Sequence, residues 1–95
     1  MDRFDTLQGF VAVVETGSFS EAAERLGVGK SMVSRRVSRL EERLGVQLLR
    51  RTTRKLSLTE AGRHFYPRAS RLLAELEEAE QAVAEGQHTL RGRLR

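Results

Sequence analysis

The amino-acid sequence predicts a mostly α fold, in which three short helices and a small two-stranded hairpin precede one long helix. Three observations lead to this prediction. Apolar residues recur at spacings of three and four along most of the chain. Glycines follow the first three helical stretches, at positions 17, 27 and 45. A last apolar stripe keeps a heptad spacing from residue 65 to residue 83.

The first two helices are short and end at glycines. The first is predicted over residues 3–16, where apolar residues recur at spacings of three and four: Phe4, Leu7, Phe10, Val11 and Val14. Ser18 and Glu21 then have the spacing of a capping box, in which each side chain accepts a hydrogen bond from the backbone amide of the other residue. A second helix is therefore expected to begin there and to end at Gly27.

The third helix is predicted to follow a short turn and to have two different faces. Gly27-Val28-Gly29 has the length of the turn that joins the two helices of a helix-turn-helix. The next helix then runs over about residues 30–44. One face carries Val33, Val37, Leu40 and Leu44, and the opposite face carries Ser31, Arg35 and Ser38. We expect the first face to be buried and the second to be exposed.

The second half of the chain begins with a hairpin and continues as the long helix. Residues 46–51 and 55–58 are strand-like and flank Thr52-Thr53-Arg54, which predicts a wing beside the helix-turn-helix. Thr59 is an N-cap for a helix expected to end at Gly86. The predicted units are a winged helix-turn-helix over residues 1–58, a linker helix over residues 59–86 and a hinge over residues 87–95.

Length and composition exclude several classes of protein. The 95 residues suffice for one small core with a protruding helix, but not for two independent cores. No apolar run is long enough to span a membrane and the first residues do not resemble a signal peptide, so we expect a cytoplasmic protein. With no cysteine and with His64 far from His88, we expect neither a metal site nor a cofactor in this part of the chain.

The positive charge is concentrated in the middle of the sequence. Residues 29–55 hold nine basic and two acidic side chains, a net charge of +7, whereas residues 1–28 carry −3 and residues 56–95 are neutral. A basic block inside a folded stretch is typical of a surface that meets nucleic acid. The alternative is a charged face that is only solvated.

The stripe on the long helix indicates a partner. It consists of Phe65, Ala69, Leu72, Leu76, Ala79 and Val83. A helix of this length cannot bury such a stripe on a core of about sixty residues, so a second copy of the same helix is the simplest partner. The alternative is that the stripe only covers its own domain.

Together these features predict a dimeric reader of double-stranded DNA, with residues 30–44 in the major groove and the wing, residues 51–55, at the minor groove. The candidate DNA contacts are Lys30, Ser31, Met32, Ser34, Arg35, Ser38, Arg39, Arg51, Thr53 and Arg54. Arg35 has the chemistry to bond guanine O6 and N7, and the serines can bond phosphates or base edges. Arg36 and Arg39 are expected to meet the phosphate backbone, and Arg54 the minor groove.

The sequence also resembles a known family. Residues 14–20 read Val-Glu-Thr-Gly-Ser-Phe-Ser; Ala22-Ala23, Leu26-Gly27-Val28, Leu44-Gly45-Val46 and Ala61-Gly62 follow. Over residues 1–86 this pattern resembles the LysR-type bacterial transcriptional regulators. The resemblance implies a winged helix-turn-helix, a linker helix that pairs two subunits, and binding to an imperfect inverted repeat.

The resemblance also implies a longer native protein and marks three departures. It implies a chain about three times this length, with a small-molecule effector domain after residue 95, and possible tetramers. Gly29 and Lys30 stand where the family usually has serine or threonine and then glutamine or proline. Met32 replaces a typically small residue, and would either touch a thymine methyl group or pack on the neighbouring helix.

Other functions are less well supported by the sequence. No pair of residues has the spacing of an acid and a base, and no serine lies in a nucleophile elbow, so we expect no enzyme. The main alternative is a non-specific architectural DNA-binding protein, but such proteins insert apolar wedges and residues 51–55 contain none. RNA binding would call for exposed stacking aromatics, whereas these aromatics mostly fall on predicted core stripes.

Overall fold

The computed structural model describes residues 1–52 and 55–93, with side chains up to residue 85. It confirms the mostly α prediction. The elements in chain order are α1 (Arg3–Thr16), α2 (Phe19–Leu26), α3 (Lys30–Leu44), β1 (Leu49–Arg51), β2 (Leu56–Leu58) and α4 (Glu60–Arg93). The described part of the chain measures 60 × 25 × 21 Å, because α4 extends beyond the other elements. No helix within it is long and apolar enough to cross a membrane.

The ends of the first three helices are determined locally. Gly17, Gly27 and Gly45 have φ angles of 84°, 70° and 73°, in the left-handed region that side-chain-bearing residues rarely adopt. The Gly17 amide donates to the Val13 carbonyl at 2.8 Å, and the Gly45 amide to the Glu41 carbonyl at 2.8 Å. These contacts satisfy carbonyls that the ends of the helices would otherwise leave open, which explains why the predicted ends are confirmed.

The beginnings of the helices match the predictions less closely. Ser18 Oγ accepts from the Glu21 amide at 2.9 Å, as expected. The Ser18 amide donates instead to Thr16 Oγ1 at 3.4 Å, so the reciprocal half of the predicted capping box is wrong. A complete capping box does form at α1, between Asp2 and Asp5.

The core lies where α1, α2 and α3 pack together, with the start of α4 against them. Its buried apolar residues are Phe10, Val11, Ala12, Val13, Ala22, Ala23, Val33, Val37, Leu40, Leu48, Leu49 and Ala69. Leu44 belongs to the face of α3 that was expected to be buried, but it is 43% exposed. It is the last residue of α3 and borders an open depression lined also by Val46 and Phe65, where no further element covers it.

The hairpin is attached to α3 by one carboxylate. β1 and β2 are antiparallel, with Leu49 opposite Leu58 and Arg51 opposite Leu56. Glu41 Oε2 accepts from the amides of Leu48 and Leu49 at 2.8 and 3.1 Å. The strands are shorter than predicted, because the segment before Leu48 is held by hydrogen bonds to α3 and Thr59 rather than by strand pairing.

The start of α4 is packed tightly against the hairpin. Thr59 Oγ1 accepts from the Gly62 amide at 3.0 Å, which confirms the predicted N-cap, and donates to the Gln47 carbonyl at 2.6 Å. A Cβ atom at Gly62 would collide with the Leu48 carbonyl oxygen. Gly62 is therefore the residue that lets α4 approach the backbone of the hairpin.

The far end of α4 differs from the sequence prediction. The helix does not end at Gly86 but continues to Arg93, so the predicted boundary of a hinge over residues 87–95 is wrong for residues 87–93. A glycine inside a helix costs only about 1 kcal/mol relative to alanine, and no proline follows Gly86 in the sequence to stop the helix. The division of function among the three predicted units stays a prediction.

Candidate nucleic-acid interface

One face of α3 is polar, basic and exposed, while the opposite face is buried. Val33 and Val37 are fully buried and Leu40 is nearly so. The candidate contacts on α3 that are exposed are Lys30, Ser31, Arg35, Ser38 and Arg39. Met32 and Ser34 are half-buried at the edge of this face. The structure thus brings together the predicted α3 contacts on one surface of short polar and long cationic side chains.

Arg36 does not share the open environment of Arg35 and Arg39. It is half-buried, and its Cβ lies so close to α1 that a Cβ atom added at Gly9 would approach it to 2.8 Å. Its Nε is buried and has no hydrogen-bond partner among the described residues. Its aliphatic stem packs against α1, and the expected contact of Arg36 with the phosphate backbone stays a prediction.

A groove between the start of α2 and the hairpin collects three cationic side chains. It has a volume of about 420 Å³ and is lined by Gly17, Ser18, Phe19, Ser20, Lys30, Arg51, Thr52, Lys55 and Leu56. We call it the basic groove. Its walls come from α2, α3 and the wing, so the packing of three elements places Lys30, Arg51 and Lys55 around one space. Such a space suits an anion.

Within the basic groove, Arg51 is oriented by an aromatic ring. Its guanidinium carbon lies 4.7 Å from the centroid of the Phe19 ring, a cation–π contact. The start of α2 adds the positive end of a helix dipole at the same place. Lys55 lines the basic groove but is not among the candidate contacts predicted from the sequence, although its place in the basic wing segment was a usable signal. The contact between Arg51 and Phe19 joins distant segments and gave no such signal.

The two remaining candidate contacts, Thr53 and Arg54, lie outside the described residues. Thr52 and Lys55, which flank them, are hydrogen-bonded to each other: the Thr52 amide donates to the Lys55 carbonyl at 3.0 Å, and the Lys55 amide to Thr52 Oγ1 at 2.9 Å. Both flanking residues are exposed. The roles of Thr53 and Arg54 stay predictions.

Acidic groups do not interrupt the N-terminal part of the basic face of α3. The acidic residues of α3 are Glu41 and Glu42, in its last turn. Glu41 accepts hydrogen bonds from the Leu48 and Leu49 amides at the start of the hairpin, so its carboxylate already has partners within the domain. Arg43 in the same turn donates to Thr6 Oγ1 at 2.7 Å. The first three turns of α3 therefore present only neutral or cationic groups to an approaching polyanion.

A second polar cluster joins three helices through one carboxylate. Glu15 Oε1 of α1 accepts from Arg25 Nη1 of α2 at 2.6 Å, and Glu15 Oε2 accepts from the Tyr66 hydroxyl of α4 at 2.9 Å. We call this cluster the Glu15 bridge. Burial and the hydrogen bond to Glu15 raise the pKa of Tyr66, so the phenol stays a donor beyond the pH at which a free tyrosine loses its proton.

The predicted dimerisation stripe divides into two parts. Ala69 is fully buried and Phe65 packs against Phe10 with ring centroids 5.8 Å apart, so the domain's own core uses both. This burial corrects the predicted role of Ala69, which is not accessible to a partner. The remaining residues, Leu72, Leu76, Ala79 and Val83, extend past the core: Leu72 and Val83 are 55% and 62% exposed, Ala79 is exposed and Leu76 is half-buried. We call these four residues the exposed stripe.

Three packed helices, the third with a basic exposed face, and an adjacent antiparallel hairpin define the winged helix-turn-helix class of DNA-binding domains. Within that class, the profile of the lysR family of bacterial regulatory helix-turn-helix proteins matches residues 4–63. The chain belongs to this family, whose members are regulators of transcription.

Similar proteins support the family assignment over nearly the whole chain. An HTH-type transcriptional regulator of Xanthomonas campestris is 54% identical over 99% of the chain and 27% of its own length. The regulator CrgA of Neisseria meningitidis is 59% identical over 80% of the chain and 25% of its own length. The chain thus spans about a quarter of the length of these relatives.

Solved structures give the same result at the level of the fold. The BenM DNA-binding domain in complex with catB site 1 DNA is 38% identical, with a TM-score of 0.81, over 90% of this chain and 94% of that one. Full-length AphB, a virulence activator of Vibrio cholerae, is 36% identical, with a TM-score of 0.78, over 86% of this chain and 28% of its own.

Proposed function

We propose that this chain binds double-stranded DNA in a sequence-specific manner, as the DNA-binding domain of a bacterial LysR-type transcriptional regulator. The observation that carries the proposal is the exposed face of α3, where Arg35 stands among serines and no acidic residue intervenes. A helix with such a face fits the major groove, in which each base pair presents a distinct pattern of donors and acceptors.

The α3 residues divide into those that read bases and those that hold phosphates. Arg35 lies at the centre of the exposed face and has the two parallel donors needed for guanine O6 and N7. Ser31, Ser34 and Ser38 are short, so the helix backbone can approach the bases closely. Arg39 is exposed farther along the helix and is assigned to phosphate, which adds affinity without sequence information.

The basic groove is proposed to hold the DNA backbone beside the major groove. Lys30, Arg51 and Lys55 supply three charges there, and the Phe19 ring restricts the rotation of the Arg51 side chain. Wing residues Thr53 and Arg54 are proposed to reach the adjacent minor groove, whose negative potential attracts guanidinium groups. The related BenM domain forms complexes with DNA, which supports DNA binding by the shared fold.

The alternative of a non-specific architectural binder is not favoured. Such proteins insert apolar side chains between base steps from the minor-groove side. The described wing residues that point outward are Arg51, Thr52 and Lys55, which are polar or charged. An α3 face with one central arginine among serines is also a better base reader than a uniform phosphate binder.

The exposed stripe is proposed to pair with the same stripe of a second copy, giving a homodimer on an imperfect inverted repeat. Leu72 and Val83 are too exposed to belong to the core of a single chain, and their heptad spacing suits packing against a partner helix. Charge along α4 favours an antiparallel pair. Residues 72–85 carry five glutamates and no basic residue, whereas residues 60–71 carry three arginines and one glutamate.

The direction of the pair is testable because the chain has no cysteine. A spin label on Val83→Cys would lie about 27 Å or more from its counterpart in an antiparallel pair centred near residue 74, and within about 10 Å in a parallel pair. A distance distribution centred near the long value supports the antiparallel dimer. A short distance would show that the helices run in the same direction.

The rest of the native protein is proposed by comparison. Because relatives such as CrgA are about four times as long as the matched segment, we propose that a small-molecule effector acts through a domain outside this chain. Tetramers would then depend on that domain. As a reader of chromosomal DNA the protein would work at the nucleoid, in the cytoplasm.

The test of the proposed function is an unbiased selection from random duplexes at near-physiological salt, where binding to phosphate alone is suppressed. We expect enrichment of an imperfect inverted repeat. Arg39→Ala is a useful companion, because it should lower affinity for all duplexes while the selected sequence stays the same. Measurable affinity without any enriched sequence would overturn specific reading and support the architectural binder.

A further inference from the structure

The attachment of α4 to the reading head, residues 3–58, combines contacts of two kinds. The apolar contacts are those of Phe65 and Tyr66 with Phe10, together with buried Ala69. Apolar packing has little directional preference, so alone it would tolerate small rotations of α4 over the head. Hydrogen bonds from Thr59 to the Gln47 and Leu48 carbonyls hold the start of α4 on the hairpin. The hydrogen bond from the Tyr66 hydroxyl to Glu15, about two turns farther along, is also directional and restricts rotation of α4 about that start.

Glu15 is placed so that it relates α4 to the DNA-reading elements as well. Its second oxygen accepts from Arg25 in the last turn of α2, and α2 packs on α3 through buried Ala22 and Ala23. One carboxylate therefore joins the helix that precedes the recognition helix to the helix that carries the exposed stripe. Both charged side chains are partly exposed, at 36% and 48%, and exposed ion pairs add little stability.

A small change of angle at this point has a large effect at the far end of α4. The segment from Tyr66 to Val83 is about 26 Å long at 1.5 Å per residue. A tilt of about 8° at the head would move the end of this segment by about 3.5 Å, close to the 3.4 Å rise of one base pair. The angle between the head and α4 therefore sets the distance between two heads in a dimer.

We infer that the Glu15 bridge positions the reading head on α4, and that it thereby restricts the dimer to one spacing between half-sites. Glu15, Arg25 and Tyr66 are positioning residues: none of them lies on α3, and none lines the basic groove. This inference rests on the proposed function, because it needs a dimer that reads two half-sites.

The test uses two variants that break the bridge at different atoms. Tyr66→Phe removes the hydroxyl and keeps the ring on Phe10. Glu15→Gln removes the charge and replaces one of the two acceptor oxygens by an amide donor, so only one of the two hydrogen bonds can remain. Glu24→Gln is the matched control, because it neutralises an exposed acidic residue of α2 next to Arg25. Affinity is measured for the selected inverted repeat, for duplexes with one base pair added or removed between half-sites, and for a single half-site.

We expect the wild-type chain and Glu24→Gln to lose about tenfold or more on the altered spacings, because a half-site out of register loses its base contacts. The bridge variants should lose only about twofold to threefold, with single half-site affinity unchanged. Identical spacing profiles for wild type and both variants would overturn the inference while leaving the proposed function intact.

Two further outcomes separate the bridge from other roles. If both variants lose affinity for a single half-site and for the repeat to the same extent, Glu15 and Tyr66 are needed for the fold of the reading head itself. That outcome would also overturn the inference. If the wild-type chain shows no sequence preference, that result would instead contradict the proposed function, and the inference that rests on it.

Discussion

The reading head and the outer half of α4 carry similar apolar residues, but those in the head are buried and those on the outer half of α4 are largely exposed. In the head, Phe10, Val33 and Leu40 are at most 2% exposed, because three helices and a hairpin surround them. On α4, Leu72 and Val83 are more than half exposed, because no other element among the described residues covers them. The head is complete as a single chain, and the outer half of α4 is not.

Along the heptad stripe, burial in the head gives way to exposure within three residues. Ala69 is fully buried against the head and Leu72 is 55% exposed, although both belong to the same heptad pattern. A regular stripe on a helix thus reports which face is apolar, and tertiary contacts decide what covers each part of it. The comparison predicts that substitutions in the head affect folding and that those in the exposed stripe affect assembly.

The largest effect is expected in the core of the head. Phe10→Ala should lower the free energy of unfolding by about 3 to 5 kcal/mol, because it leaves a cavity beside Phe65 and Tyr66. Val83→Ala should cost less than about 0.5 kcal/mol in dilute solution, where dimers dissociate. Urea denaturation measures both, and similar losses for the two variants would remove the distinction between the regions.

Leu76→Glu should prevent dimerisation while the head remains folded. A charge placed in a paired apolar stripe should weaken the dimer by at least about 2 kcal/mol, or about thirtyfold. Gln81→Glu adds the same charge to an exposed position outside the stripe and should remain dimeric. Sedimentation equilibrium distinguishes them, and an unchanged mass for Leu76→Glu would refute the assignment of the stripe.

Gly62→Ala tests the contact between α4 and the hairpin. The added Cβ meets the Leu48 carbonyl oxygen, which cannot move without disturbing the wing, so we expect a loss of about 1 to 3 kcal/mol in stability. Gly29→Ala is the control, since a Cβ atom there has nothing within 4 Å. Equal melting temperatures for the two variants would show that the wing adapts to α4.

Arg35→Ala should affect recognition without affecting stability. We expect a loss of about 1 to 3 kcal/mol in binding to the selected repeat and a relaxed preference at one base pair in each half-site. Arg39→Ala should instead reduce the salt dependence of binding by about one charge and leave the preferred sequence unchanged. Equal loss for Arg35→Ala on specific and random duplexes would reassign Arg35 to phosphate.

The smallest effect is expected from the pH dependence of the Glu15 bridge. Because the pKa of Tyr66 is raised in the folded chain, the hydroxyl stabilises the fold below the ordinary phenol pKa of about 10 and loses this effect as the pH rises through the higher folded value. The difference in stability between wild type and Tyr66→Phe, at most about 1 kcal/mol, should be present at pH 8 and vanish in strong base. A difference that stayed constant over this pH range would mean that the stabilisation does not depend on the ionisation of the hydroxyl, contrary to a raised pKa in the folded chain.

Local chemistry was sufficient to predict most helix boundaries and the two faces of α3. Gly17, Gly27 and Gly45 end helices because the left-handed conformation strongly favours glycine, and neighbouring residues alone express this preference. The exposed side of α3 followed from helical periodicity for the same reason. The predicted end at Gly86 failed because a helix passes through a single glycine at a small cost when no cap or proline stops it.

Contacts between distant segments decided the rest, since no local pattern encodes them. Arg36 and Arg39 look equivalent in the sequence, but Gly9 of α1 accommodates only the Arg36 stem. The Arg51 contact with Phe19 and the Glu15 bridge depend likewise on how helices meet. Backbone preferences act over a few residues and can be read from the chain, whereas the environment of a side chain is set by whichever element packs against it.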